Sequence, residues 1–530
     1  MYYSQNRCAL ILFLFFILAF LAITGCTKVG PDFVRPSAPV SRNWLDKEGE
    51  SVSHGPADYR EWWKGFNDPV LDRLVDKAYR QNLSLKVAGV RILEARAQLG
   101  IAIGGFYPQS QHAFGSLDYN RISERATTAG ALNRFTFSQS EVGIGAAWEL
   151  DFWGKFRRAI ESADAGLMAT IADYDSVLVT LTSDVASSYI LVRTLEKRID
   201  IARDNVQTQA ESLRIAEARF GAGTTSQRDV EQATAVLNDT RALIPSLETQ
   251  LRQAKNALSV LLGQSPSDLK EMLTGPAGIP APPPLVAIGI PTDLLRRRPD
   301  IRSAEYQAAA QSALIGVAKA ELLPAFSLTG SFGLLATSVG RSSTSDIFRW
   351  SSREYTIGPG FQWPFLNYGR LTNLVRVQDA RFQQLLISYQ NTVLKAQQEV
   401  EDALVGFLRA QERADFLAQS AASARRSFDL AAAQYREGVT DFTTVLTAQQ
   451  VLLAEQDNLA ITLGNISGNL VGIYRALGGG WEIREGEDFV PPDIKEAMAA
   501  RTDWGELLSP ASYMPQPPGG PRPSIRSPDW

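Results

Sequence analysis

Two long stretches of the chain place apolar residues in an unbroken 3-4 alternation. In the first, Ile171, Tyr174, Leu178, Leu181, Val185, Ser188, Val192, Leu195, Ile199, Ala202, Val206, Gln209, Leu213, Ala216 and Phe220 form one stripe. Only Ser188 and Gln209 in it are polar. In the second, Leu386, Tyr389, Val393, Ala396, Val400, Ala403, Phe407, Ala410, Ala414, Leu417, Ala421, Ala424, Phe428, Ala431 and Tyr435 keep the same rhythm with no polar member. An apolar repeat of seven residues held for about seven heptads is a coiled-coil seam, not the face of a short globular helix. The helices begin near Phe156 and Leu371 and each covers roughly 65 residues, or about 100 Å at 1.5 Å per residue. The pattern predicts a long rod or tube.

Each long helix stops at a glycine-bearing turn, Gly221-Ala222-Gly223-Thr224-Thr225 in one case and Glu437-Gly438-Val439-Thr440-Asp441 in the other. Glycine accepts positive φ without steric cost, which suits a reversal. A second heptad pattern follows each turn, through Val230, Ala233, Leu237 and Leu258 or through Val445, Leu452, Ile466 and Ile473. Two antiparallel hairpins are expected, each preceded by a shorter helix, near Asp68 to Gly104 and Thr292 to Leu323.

The hairpins are copies. Trp148 matches Trp363, Gly154 matches Gly369, Gly223 matches Gly438, and Leu262-Gly263 matches Leu477-Gly478, all 215 residues apart (363 − 148 = 215). Upstream the separation is 216, pairing Gly100 with Gly316 and Pro108 with Pro324. One unit is used twice.

Between the short and long helices of each unit the period changes to two, the signature of strands. Phe326, Leu328, Phe332 and Leu334 alternate with Ser327, Thr329 and Ser331, and Tyr355, Ile357, Phe361 and Trp363 alternate with Thr356, Gly358, Gly360 and Gln362. Val142, Ile144, Ala146, Trp148 and Leu150 make a similar face in the first unit, and Gln109 to Asn120 is a weaker segment. Four strands of about ten residues, apolar on one face and polar or glycine on the other, fit a transmembrane barrel. Trp148 and Trp363 then suit an interfacial girdle. Lipid tolerates no unpaired strand edge and four strands are too few to close a barrel, so several copies must share one. Eight strands would be filled by their own side chains, whereas twelve leave a lumen, so a conduit wants at least three copies. The fold class expected is α+β: long coiled-coil hairpins making a tube, plus four transmembrane strands per chain in a barrel shared between copies.

The amino terminus agrees with a membrane address. Arg7, a continuous apolar run from Ala9 to Ala22, and Ile23-Thr24-Gly25 read as a signal peptide followed at once by Cys26. That is the arrangement of a lipobox, with Cys26 the acylated first residue of the mature chain. Thr27 rather than aspartate after it favours the outer membrane. The net charge of -4 over 530 residues, with basic residues dispersed, gives no surface for nucleic acid. Cys8 falls in the removed segment, and His54 and His112 have no ligand-spaced partners, so no metal, cofactor or disulfide is expected. Neither a nucleophile with a positioned base nor paired acids are apparent, so the chain is not expected to be an enzyme.

The segments Cys26 to Pro39, Trp62-Trp63-Lys64-Gly65-Phe66-Asn67-Asp68-Pro69, Leu294-Leu295-Arg296-Arg297-Arg298-Pro299-Asp300-Ile301 with Ala304-Glu305, and Tyr435-Arg436-Glu437-Gly438 resemble the outer-membrane factor family typified by TolC. They are most similar to its lipidated OprM-type efflux branch. The resemblance covers roughly Cys26 to Trp481. It implies a homotrimer whose twelve-stranded barrel sits in outer-membrane lipid and whose helices descend as a tube through the periplasm, a periplasmic adaptor protein at the lower tip, and an inner-membrane pump, here expected to be proton-driven.

The family narrows the periplasmic end with side chains just after the second tip turn, often aspartates. Here Thr444 and Thr447 stand there, with Asp441 nearby and Asp229 at the matching place in the first repeat. The adaptor-docking tips are expected at Gly221, Gly223, Thr224, Thr225, Gly438, Val439, Thr440 and Asp441. The chain divides into a signal peptide (1–25), a lipidated extended segment (26–67), the first repeat (68–265), a Pro-rich linker (266–291), the second repeat (292–480) and a Pro/Gly-rich tail (481–530), which is either a belt around the tube or disordered. The function expected is a passive exit duct for small molecules such as drugs; a duct for protein secretion and a pore-free coiled-coil scaffold are the alternatives.

Overall fold

The computed structural model describes residues 28–41, 43–45, 52–53, 59–123, 125, 135–283, 286–289, 291–293, 297–339 and 342–513. The signal peptide, Cys26, Thr27, His54, the stretch Leu294 to Arg296 and the end of the tail lie outside the described residues. In chain order the elements are β1 (Val52–Ser53), α1 (Pro69–Gln81), α2 (Leu83–Gly104), β2 (Ser110–Arg121), β3 (Thr136–Leu150), α3 (Lys155–Gly221) and α4 (Gln227–Leu261). The second half adds β4 (Val286–Ala287), α5 (Pro299–Ala320), β5 (Ala325–Thr337), β6 (Arg353–Gln362), α6 (Arg370–Arg436), α7 (Phe442–Ala476) and α8 (Pro492–Ala499).

The duplication is exact in length where the heptads run. Helices α3 and α6 both have 67 residues, and the returns α4 and α7 both have 35. At 1.5 Å per residue the long helices extend about 100 Å. Helix α3 packs along α2, α4, α5 and α7, while α6 packs along α5 and α7.

The short helices differ from expectation. The first is two helices, because Asn82 adopts an extended conformation, ends α1, and caps α2 by accepting a hydrogen bond from Leu85 N at 2.9 Å. The second is described as Pro299–Ala320, where proline at its first position suits a helix start.

Strands β2, β3, β5 and β6 form one antiparallel sheet in that order, with 12, 15, 13 and 10 residues. The register makes the face argument definite. Ile144 pairs with Phe332, which pairs with Tyr355, and Trp148 pairs with Leu328, so the apolar positions of three strands fall on one face. Ala113, Leu117 and Tyr119 of β2 join them. The opposite face carries His112, Gly145, Ser331 and Thr356 in one row. Strands β2 and β6 each pair on one side only.

The main core sits where the helices crowd below the sheet. Trp62 stacks on Tyr474 with centroids 5.1 Å apart, and Tyr189, Phe407 and Leu470 are fully buried. The tail is a folded pad up to Tyr513, not a disordered end: Phe489, Val490 and Tyr513 are buried, and Arg484 reaches Asp175 on α3. The linker is held by β4, which pairs in parallel with β1.

Candidate functional site at the hairpin tips

Both tips are built by the same local device. Gly223 and Gly438 have φ of 72° and 77°. Their N–H groups donate to Phe220 O and Tyr435 O, and the next residues donate to Arg219 O and Gln434 O, which closes the last helical turn. Thr224, Thr225, Val439, Thr440 and Asp441 sit on these turns as the sequence placed them, and Val439 is largely exposed.

The capping chemistry is inverted between the copies. Ser226 holds the N-cap position of α4 without a side-chain bond to the helix backbone and Asp229 stands three residues on, whereas Asp441 caps α7 and Thr444 stands three residues on. Asp229 is buried and accepts hydrogen bonds from the Thr225 and Ser226 hydroxyls. Asp441 is exposed and accepts from Thr444 N at 3.0 Å and Thr444 Oγ at 2.7 Å. These bonds from Thr444 hold the Asp441 carboxyl below the usual carboxylate range. Asp441, Thr444 and Thr447 line an open cleft of about 410 Å³ together with Ala424, Ser427 and Thr443. Asp229 is not among its lining residues.

The tip has its own small core, separate from the main one, in which Phe428, Tyr435, Phe442 and Val445 are buried. Tyr435 and Phe442 rings lie 5.0 Å apart, and the Arg219 guanidinium lies 4.6 Å from the Tyr435 ring centroid and donates to Tyr435 O. Arg219 therefore ties the first hairpin to the second.

Above it, a polar stripe that sequence reasoning did not single out joins α3 to α7. Arg198 makes two hydrogen bonds to Asp457, at 2.7 and 3.0 Å. Asn205 donates to Gln456 at 2.9 Å, and Gln449 donates to Ser212 at 2.7 Å. Residues 198, 205, 212 and 219 recur at seven-residue spacing, and that polar heptad, one face away from the apolar one, was the available signal. Gln209 is buried with no side-chain partner among the described residues.

At the other end, the strap from Lys28 runs along the helices. Val29 N donates to Trp153 O at 3.0 Å. The fully buried Arg158 donates to Val29 O and Gly30 O and pairs with Asp32 and Glu161. Gly30 crosses α5 at Gly316, where a Cβ would stand 2.4 Å from the Gly316 Cα. Lower down, Gln397 and Glu401 of α6 accept from Ser41 N and Leu45 N at 2.9 Å each. Among the described residues, no group of three or more His, Cys, Asp or Glu side chains is placed to hold a metal ion.

Residues 74–264 and 290–479, the two repeats, match the outer membrane efflux protein family. The chain belongs to that family. As an outer membrane efflux protein it is 32% identical over 466 residues to nodulation protein T of Rhizobium leguminosarum bv. viciae, covering 87% of this chain and 92% of that one. It is 33% identical over 429 residues to the pyoverdine export outer membrane protein OpmQ of Pseudomonas aeruginosa, covering 80% and 88%. The solved structure of the outer-membrane channel OprN superposes with a TM-score of 0.80 at 33% identity, covering 86% of this chain and 99% of that one. The efflux protein is thus an outer-membrane channel that works as a homotrimer with a periplasmic adaptor and an inner-membrane pump.

Proposed function

We propose that this channel is a passive exit duct for small molecules, energised by a proton-driven inner-membrane pump, and that it performs no chemistry of its own. The observation that carries the duct is the sheet: an apolar outer face, a polar and glycine-rich inner face, and two edges that only further copies can pair. Relatives of nearly equal identity are named for nodulation and for pyoverdine export. Such a spread fits a conduit that leaves selection of cargo to its pump.

The tips are the proposed docking and gating end. They are the reversals farthest from the sheet, about 100 Å away by helix rise. Thr444 and Thr447, with Asp441 beside them in an open cleft, are the constriction candidates on the second hairpin. Asp229 instead closes its own turn, so the proposed narrowing is hydroxyl-lined with Asp441 as its acidic member. Cys26 is the proposed acylation site, with the lipid holding the strap at the membrane.

A Cβ at Gly223 would meet nothing within 4 Å, and at Gly438 only the end of Arg219, so replacements there strain φ without disturbing packing. Gly438→Pro and Gly223→Leu are expected to impair export while trimers assemble and insert. Stepwise conductance of purified trimer in planar bilayers tests the duct, and drug accumulation in cells tests the tips. Absence of conductance steps would remove the pore; variants that export as well as wild type would reduce the tips to connectors.

A further inference from the structure

The outer face of the sheet is not a uniform apolar wall. Ala146 and Gly330 pair with each other at the floor of an open notch of about 780 Å³, walled by Ile144, Phe332, Tyr355 and Ile357. Trp148, one row nearer the helices, donates its indole N–H to Phe106 O at 3.1 Å, and an apolar ring with its one donor satisfied suits that row to the membrane interface. The notch therefore opens just inside the hydrocarbon region.

The fold does not require the missing side chain at Gly330. A Cβ there would lie 3.5 Å from Thr356 O and 3.7 Å from the Ile357 side chain, which is ordinary contact, and its φ is not positive. Glycine inside a strand is destabilising relative to alanine. An open floor is what that cost leaves behind.

We propose that the fatty acyl chains carried by Cys26 lie in this notch. The placement rests on Cys26 being the acylated residue. Cys26 precedes Val29 by three residues, at most about 10 Å of chain, and Val29 is fixed to Trp153 O. Trp153 follows the end of β3 at Leu150, and Ala146 lies four residues back along that strand, about 13 Å. An acyl chain spans one leaflet, about 15 Å, so chains entering the membrane beside Trp153 reach the notch. The Arg158 clamp and the Gly30–Gly316 crossing fix the starting point, so the acyl chains begin from one place on the wall. A lone acyl chain holds a protein at a membrane only marginally. A fitted notch would make the anchor part of the barrel surface.

The test uses the full-length protein made in cells fed a diazirine-bearing fatty acid. After irradiation of intact membranes, adducts are mapped on the purified trimer by mass spectrometry. The expected result is adducts on Ile144, Ala146, Gly330, Phe332, Tyr355 and Ile357, with most of them lost in Ala146→Leu and Gly330→Leu while label and trimer persist. Adducts confined to phospholipid, or spread evenly around the sheet, overturn the placement. If a filled variant fails to assemble, the wild-type map alone decides. Label that persists in Cys26→Ser sinks the lipoprotein reading instead, so the two failures are distinguishable.

Discussion

Helices α3 and α6 are the same length and keep the same register 215 residues apart, yet they live in different surroundings. Helix α3 is enclosed by five helices, α1, α2, α4, α5 and α7, and buries Arg158, Asp175, Arg193, Asn205 and Gln209. The residues α6 buries are all apolar apart from the hydroxyls of Tyr389 and Tyr435. Equivalent apolar positions also part company: Val179 is 6% exposed and its mate Leu394 51%, while Ile190 is 3% exposed and its mate Val405 40%. With Ile387, Phe416 and Leu430, these α6 residues form a stripe that α6 leaves bare within one protomer. Duplication thus copied a helix, and its surroundings decided whether it became a hub for buried charge or kept a bare apolar stripe.

The largest test of that contrast is Asp175→Ala against Gln390→Ala at the equivalent place. Asp175 is fully buried and binds Arg484 and Arg302, whereas Gln390 is exposed. Removing one partner of a buried ion pair costs about 3–5 kcal/mol, so Asp175→Ala should lower the unfolding midpoint of solubilised trimer strongly. Gln390→Ala should stay within roughly 0.5 kcal/mol. Equal effects would dissolve the distinction between the helices.

Next comes Phe416→Ser. Phe416 is 65% exposed in the protomer, and if the neighbour covers it the loss is about 1.5–3 kcal/mol at each of the symmetric contacts. Native mass spectrometry should show fewer trimers with the protomer's helical content unchanged. An undiminished trimer population would place the subunit contact elsewhere.

A smaller effect is expected from Arg198→Ala, which removes the partly buried pair with Asp457 and should cost about 1–2 kcal/mol. Its mate Arg413 faces no equivalent acid, since Ala242 occupies the place of Asp457 in the first return helix. Arg413→Ala should therefore leave single-channel conductance and stability unchanged, while Arg198→Ala loosens the seam between hairpins and raises conductance.

The smallest effect concerns the inverted caps. Because Thr444 holds the Asp441 carboxyl below its usual range, the cap is fully formed above about pH 4, the unfolded value, and is lost as pH falls through the folded one. Hydrogen exchange of the first turn of α7 should speed up in that acid range and in Asp441→Ala, but not in Asp441→Asn, since asparagine caps as well. No change in Asp441→Ala would mean the turn is held by its glycine alone.

Heptads, tip glycines and alternating strands were legible in the sequence because each is a local relation between residues a few positions apart. Strand lengths were underestimated, most at β3, whose 15 residues begin at Thr136 among polar positions that carry little period-2 contrast. The break at Asn82 was missed because an extended asparagine serving two helices leaves the apolar pattern on either side intact. At the tip, sequence reasoning found Asp441 and Thr444 but could not see that Asp229 turns inward to its own hydroxyls.

By itself, then, the sequence determined that there are two equal hairpins, where they reverse, and that four strands need partners from other copies. Only the tertiary structure decided which twin helix is central, that the tail folds into a pad through Arg484 and Asp175, and that Ala146 and Gly330 meet on one face to open a notch. The physical reason is range. Helix length and turn position follow from backbone hydrogen bonds and residues within a few positions, whereas burial depends on which distant surfaces meet. Identical heptads carry no mark of which neighbour they will find.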